Sequence, residues 1–443
     1  MLKSGFNRTD NYFNQIKLSF ALKVFAIGCS FFVVPLLIKL LGNEQYGIWS
    51  TLLSISSWIV LFDFGIGNGV KNKIAEAIAK DRPWDVRIYI STAYFINGVI
   101  LITIFLLFLL TSFHVPWDRF FNTSSISKNN LRNVVFVFGS FLLLNFWLNL
   151  LNQIASGLQK TSISILNQLI VNLLFLLVII VFNKSIKNSL VGLSFGYGIS
   201  LIASSISLTI WFFKKYPAYS PTVKQIEIKY ISSITNLGIQ FFIIQIAVVV
   251  LFTMNKIIIT QMFGPQYVTQ YDVVLKLFSV ISLLHNILMT PLWPAYSDAY
   301  HHNDMQWIKN TIGNQIKLYL LIVFITVLLV FFSPFIFKLW LGSSFILDKN
   351  LIVAMMFFIL VSTWNSIFAC LINATSKIFL ATAINSILLI INIPICIGLI
   401  RFYNLGIEGV VYGTTICLSI GAILGPLQYY YIINNKGHKV WHL

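Results

Sequence analysis

With 443 residues, a formal net charge of +17, 58% hydrophobic and only 10% charged residues, this chain excludes a water-soluble fold of its size, which would need far more charged surface. Its mean hydropathy is +0.84. Apolar runs of the ~20 residues that cross a bilayer recur from end to end, and their continuity excludes the alternating pattern of a membrane barrel. The fold class is all-α integral membrane, because lipid forces spanning backbone to satisfy its hydrogen bonds within each helix.

About twelve spans fit the chain, over 18–41, 46–67, 88–112, 131–153, 163–183, 190–213, 232–260, 268–290, 311–333, 350–372, 378–400 and 408–433. No long soluble domain remains to carry chemistry. The basic residues collect at span ends, and with the N-terminus inside most of them fall in cytoplasmic segments. Membrane topology thus accounts for the charge without nucleic acid, and an even span count puts both termini in the cytoplasm. The first run has no small-residue cleavage site behind it and is too long for a signal segment, so it reads as a retained helix.

Charged side chains inside spans are costly, so each one in chain order is a candidate. Lys23 lies one to two turns into the first span. It either lines a cavity or snorkels to the interface. Lys39, at the far end of that helix, reads as snorkelling. Asp63 precedes a glycine-rich exit from the second span, where it binds a coupling cation or caps the following segment. The stretch Val70–Arg87 is amphipathic and basic and belongs at the cytoplasmic interface. Tyr46, Trp49, Trp58, Trp84, Trp117, Trp293 and Trp307 fall near span ends and read mostly as an aromatic belt.

On the fourth span Asn145, Asn149 and Asn152 recur at helical spacing, with Gln153 beside them. Such a stripe lines a wet cavity or ties helices together, and the cavity-facing use is expected here. Asn236 and Gln240 pair on the seventh span, and Asn385 and Asn392 on the eleventh. Lys256 stands near the periplasmic end of the seventh. Asp272 and Lys276 are spaced i, i+4 on the eighth, so they share a helix face and are expected to pair. His285, deep in that span, is a packing residue or a coupling group that titrates near neutrality. His301-His302 with Asp304 reads as a solvated loop rather than a metal site. Cys29, Cys370, Cys396 and Cys417 lie in spans without metal spacing and read as apolar fillers. No HExxH, P-loop or CxxC motif appears, so no enzyme, metal or cofactor is expected.

The chain aligns with itself at an offset of 222 residues. Leu41-Gly42 falls on Phe263-Gly264, Trp49 on Tyr271, Asp63 on His285, Ala75-Glu76-Ala77 on Ser297-Asp298-Ala299, and Arg87 on Lys309. The repeat implies an N-terminal six-helix lobe over 1–213, a cytoplasmic linker over 214–231 and a C-terminal six-helix lobe over 232–443. Six is even, so the lobes share one orientation, and parallel repeats are a transporter architecture.

The segments Leu40–Trp49, Asp63-Phe64-Gly65-Ile66-Gly67-Asn68-Gly69 and Asn72–Ala77, with the second-lobe Phe263-Gly264-Pro265 turn and Pro294–Asp298, resemble the Wzx-type polysaccharide flippases. These belong to the multidrug/oligosaccharidyl-lipid/polysaccharide superfamily and are MATE-like. The resemblance is strongest over about residues 12–100. It implies a bacterial inner membrane protein. Its cargo would be an undecaprenyl-diphosphate-linked oligosaccharide of O-antigen, lipopolysaccharide or capsule, carried from the cytoplasmic to the periplasmic leaflet by alternating access through a cavity between lobes. Substrate contacts then fall to Lys23, Lys256, Lys276, Asn145, Asn149 and Asn152, and proton or sodium coupling to Asp63, Asp272 and His285. Membrane lipid and a polysaccharide polymerase are the implied partners. A MATE-type ion-coupled antiporter of small molecules is the alternative; the surplus of intramembrane basic residues favours the flippase. A membrane-embedded glycan polymerase or ligase would need a larger periplasmic loop than Phe113–Asn130.

Overall fold

A computed structural model describes residues 8–434 apart from 64, 81, 161, 188, 232–245, 247–248, 251–252, 290–291, 343–347, 376 and 378. Every regular element among them is helical. The main helices are α1 (Arg8–Ser56), α2 (Ile66–Ala79), α3 (Pro83–Ser112), α4 (Trp117–Phe120), α5 (Lys128–Leu148), α6 (Leu150–Gly157), α7 (Ser162–Val181), α8 (Asn183–Ile186) and α9 (Leu190–Lys215). They continue with α10 over 253–263, then α11 (Pro265–Met289), α12 (Leu292–His301), α13 (Met305–Leu341), α14 (Lys349–Ala374), α15 (Phe379–Tyr403) and α16 (Glu408–Asn434). The chain divides into two compact units, Met1–Ile246 and Ala247–Leu443, here unit 1 and unit 2.

Ten helical stretches among the described residues are long and apolar enough to cross a membrane. The first, Phe20–Ile59, covers 40 residues. At 1.5 Å per residue it would run about 60 Å if straight, twice the ~30 Å hydrocarbon core. It holds two of the expected spans, separated at Gly42, where φ is 77° and ψ is 172°. That conformation is essentially confined to glycine. The expected seventh span lies largely outside the described residues, as do Asn236 and Gln240. With these two points the expectation of about twelve spans stands.

Local chemistry sets the helix boundaries. Ser127 accepts from Asn130 N at the start of α5, Ser189 from Gly192 N at α9, Asp304 from Trp307 N at α13 and Asp348 from Asn350 N at α14. Each takes up a backbone donor that the first helical turn leaves free. Asp304 is thereby a cap, and His302 Nδ1 lies 3.4 Å from Asp298 Oδ1. Lys214 and Lys215 close α9, and Arg401 closes α15.

In unit 1, α5 packs on α9, α1 and α9 on α7, and α2 on α3 and α6; in unit 2, α16 packs on α14 and α15, and α14 on α11 and α13. One core cluster of unit 1 contains Ile74, Ala77, Val86, Ile90 and Leu150. One of unit 2 contains Tyr296, Ala299, Ile308, Ile312 and Ile372, the residues 222 positions later. The repeat therefore carries the packing of each unit, not only its sequence. Gly264 also has positive φ, 101°, at the position matching Gly42.

The segment 214–231 differs from a plain linker. After α9 it forms three short 3-10 turns, Pro217–Tyr219, Val223–Gln225 and Ile228–Tyr230, packed on α3. Trp49 also departs from the belt expectation. It is 1% exposed, and Phe138, Phe175 and Tyr197 surround its ring with centroids 5.2 to 5.9 Å away. Hydropathy places a tryptophan near a span end; only packing decides which way it faces. Trp84 and Trp293 are exposed, as a belt requires.

Candidate functional site

Three charged residues of unit 2, Lys256, Asp272 and Lys276, gather beside the Gly264 turn. Lys256 on α10 and Asp272 on α11 stand at equal sequence distances from it, and the turn brings them together. Lys256 Nζ lies 2.5 Å from Asp272 Oδ1, with both side chains largely buried. The expected Asp272–Lys276 pair is thereby corrected. The carboxylate takes a partner from the neighbouring helix, because a direct contact between packed helices outcompetes the looser reach of an i, i+4 pair. Lys276 is half-buried one turn on and makes no ion pair among the described residues. The cluster therefore holds two cations and one carboxylate.

Neutral groups surround it. Asn255, beside Lys256, donates from Nδ2 to Tyr271 Oη at 3.3 Å and accepts from Thr414 Oγ1 at 2.9 Å. Asn392 Nδ2 lies 3.4 Å from the same Thr414 hydroxyl. Asn255, Thr414 and Tyr271 escape a reading based on charge and motif; their only signal is a polar side chain inside an apolar run. Asn385, paired with Asn392 in the sequence reading, is exposed instead. His285 is 2% exposed, and neither ring nitrogen has a hydrogen-bond partner among the described residues.

Unit 1 answers with neutral chemistry. Asn145 Oδ1 accepts from Ser205 Oγ at 2.8 Å. Asn149 Oδ1 accepts from Asn152 Nδ2 at 3.0 Å and from Asn167 Nδ2 at 3.5 Å, and Asn167 Oδ1 accepts from Ser204 Oγ at 2.5 Å. The amide stripe thus binds α5 and α6 to α7 and α9. Asn145 in particular is buried in this tie. Asp63 accepts from Gly67 N with both carboxylate oxygens, at 2.8 and 3.0 Å. Asn97 of α3 bonds the same group. A Cβ on Gly67 would come within 2.8 Å of Gln153 and 2.9 Å of Asp63. Asp63 is therefore a cap that joins α2 to α3.

Lys23 is half-buried on α1, near where Asn172 of α7 donates to Ala26 O at 2.9 Å, and makes no ion pair among the described residues. Lys39 is exposed, in keeping with snorkelling. On α2, outside the spans, Glu76 bonds Lys73 at 2.8 Å and Lys80 at 2.6 Å; these two hold its carboxyl down at about 2.

The repeat allows a direct comparison of positions. Where unit 2 has Lys256, Asp272 and Lys276, unit 1 has Val34, Ser50 and Ser54, all buried. The Gly264 turn does not need charge to form, because the Gly42 turn forms without it.

Glycine-kinked helical repeats of this kind, with ten stretches among the described residues long and apolar enough to cross a membrane, define a MATE-like membrane fold. In fold, the chain is similar to a multidrug resistance MATE family transporter of the MOP superfamily, at a TM-score of 0.77 and 14% identity, covering 94% of this chain and 96% of that one. The chain belongs to the polysaccharide biosynthesis protein family, whose model matches residues 16–300. It is 25% identical over 431 residues to a Salmonella typhimurium protein described as a candidate O-antigen transporter, covering 94% of this chain and 95% of that one. A Yersinia pseudotuberculosis protein described as a candidate O-antigen export protein is 23% identical over 372 residues, covering 80% and 82%.

Proposed function

We propose that this protein is an inner-membrane flippase that carries an undecaprenyl-diphosphate-linked oligosaccharide from the cytoplasmic to the periplasmic leaflet by alternating access. The observation that carries the reading is the charged cluster Lys256–Asp272–Lys276 at positions where unit 1 is neutral. Buried charge costs free energy and is kept in membranes mainly for function. Two cations against one carboxylate suit a diphosphate better than a cationic drug. In this reading Lys276 meets the substrate while Asp272 holds Lys256 ready. Within unit 1, Lys23 is the candidate phosphate contact and Asn149 and Asn152 are the candidate sugar contacts. Asp63 and His285 are the groups that a proton or sodium gradient would use. Both termini then lie in the cytoplasm, and a polymerase takes the product on the far side.

The test is to give unit 2 the residues of unit 1. The triple variant Lys256→Val, Asp272→Ser, Lys276→Ser should insert and stay folded in a flippase-null strain yet restore less than a tenth of surface polysaccharide. Full restoration at normal expression would remove the cluster from the mechanism. Resistance to cationic drugs, gained with the native chain and lost with the variant, would favour the antiporter.

A further inference from the structure

The segment after α9 is strapped to α3 by its backbone. Arg87 Nε donates to Ser220 O at 2.8 Å, Thr222 N to Ser91 Oγ at 3.0 Å and Glu227 N to Thr92 Oγ1 at 3.1 Å. Tyr89 and Tyr230 meet edge to face with centroids 5.2 Å apart. Beneath the strap lies a cavity of about 310 Å³ lined by Tyr94, Phe95, Trp147, Phe213 and Val223 among others. Further along the same two helices, α3 and α5, a second cavity of about 390 Å³ is lined by Ile102, Phe105, Leu106, Phe141 and Leu144. Phe95, Val99, Ile102 and Leu106 are exposed and form one stripe of α3 joining the two. From Phe95 to Leu106 the helix rises about 16 Å. One leaflet is about 15 Å deep, half of the ~30 Å hydrocarbon core.

The strap end of this furrow is basic. Lys214 follows the lining residue Phe213, and Lys224 follows Val223. Both are exposed, and neither makes an ion pair among the described residues. Lys229 is neutralised by Glu227 at 2.5 Å.

We propose that this strip of unit 1 binds one anionic phospholipid. An acyl chain lies in the furrow between α3 and α5, and the phosphate meets Lys214 and Lys224. Furrow length selects the occupant: it matches the acyl chain of a single leaflet, not a polyprenyl chain several times longer. The strap over 217–230 then rests on lipid as well as on α3. None of this depends on which cargo the protein moves.

Native mass spectrometry of the detergent-purified full chain, offered equal amounts of phosphatidylglycerol and phosphatidylcholine, tests it. One phosphatidylglycerol per chain should be retained in preference. Replacing Lys214→Ala and Lys224→Ala together should weaken that preference by about thirtyfold, as expected for two basic residues near an anionic surface. Ile102→Trp, at an exposed site that leaves folding intact, should lower retention of both lipids by filling the furrow. Equal retention of the two lipids, or unchanged retention in either variant, would reduce the strip to ordinary annular lipid and overturn the proposal. Preferential capture of undecaprenyl phosphate offered beside phosphatidylglycerol would overturn the occupant.

Discussion

Val34, Ser50 and Ser54 of unit 1 stand where Lys256, Asp272 and Lys276 stand in unit 2, beside glycine kinks of the same kind. Around them the units use the same core positions, Ile74 and Tyr296, Ala77 and Ala299, Val86 and Ile308. The shell is held in common and the interior chemistry is not. Unit 1 ties its helices with amides and hydroxyls; unit 2 adds an ion pair and an extra ammonium. Folding constraints explain the shared part. They do not explain the charges, since the same geometry forms without them.

That contrast breaks most sharply at Asp272. Asp272→Ala removes the carboxylate paired with Lys256 in a largely buried site, and breaking a buried pair from one side costs about 3–5 kcal/mol. The melting temperature in detergent should fall steeply. Removing all three charges should restore it to the native value or above, since replacing a buried pair with packed neutral residues is often stabilising by about 1–4 kcal/mol. If the single and triple variants melt alike, the cluster is not a coupled unit.

The kinks come next. Gly42→Val and Gly264→Val place a β-branched residue at positive φ, a strain of about 1–3 kcal/mol. Both should lower the melting temperature, and by similar amounts if the turns are equivalent. A loss at only one would show that the repeat has drifted apart there.

A smaller effect belongs to unit 1. Asn167→Ala removes the side-chain hydrogen bonds to Ser204 and Asn149, leaving the Ser204 bond to the backbone carbonyl. Membrane hydrogen bonds average about 0.6 kcal/mol each, so the loss should be near 1 kcal/mol. Unfolding of the purified variant would read it, and a loss as large as that of Asp272→Ala would erase the distinction between the interiors.

The smallest is at the surface. Glu76 lies between Lys73 and Lys80, and Glu76→Gln should lower the melting temperature only slightly at pH 7. Its folded pKa lies below the ordinary 4.5, at about 2. Whatever stability it adds is therefore present above pH 4.5 and is lost as pH falls from there towards 2. A difference between native and variant proteins that grows above pH 5 would contradict this.

The spans were legible because lipid permits one solution to the backbone, and the repeat because Gly42 and Gly264 hold a conformation that other residues avoid. The charged site was legible in composition but not in pairing. Sequence spacing shows which residues share a helix face, so it offered Lys276 to Asp272. Lys256 reaches Asp272 only because α10 and α11 turn back on each other, a tertiary fact. The amide stripe had the same fate. Periodicity showed that Asn145 and Asn149 share a face, whereas the donors opposite, Ser205 and Asn167, come from other helices. Trp49 looked like a belt residue for want of the three rings around it.

The turn at Gly42 also bears on how the protein is made. Between the halves of α1 there is no loop that could remain in water while the first half settles alone in lipid. Lys39, Asn43 and Glu44 crowd the turn, so the ribosome delivers its polar residues to the membrane as one packet. The first two spans must leave the insertion machinery together as a helical hairpin, and the matching turn at Gly264 imposes the same order on α10 and α11. Biogenesis of this chain would proceed in pairs of helices.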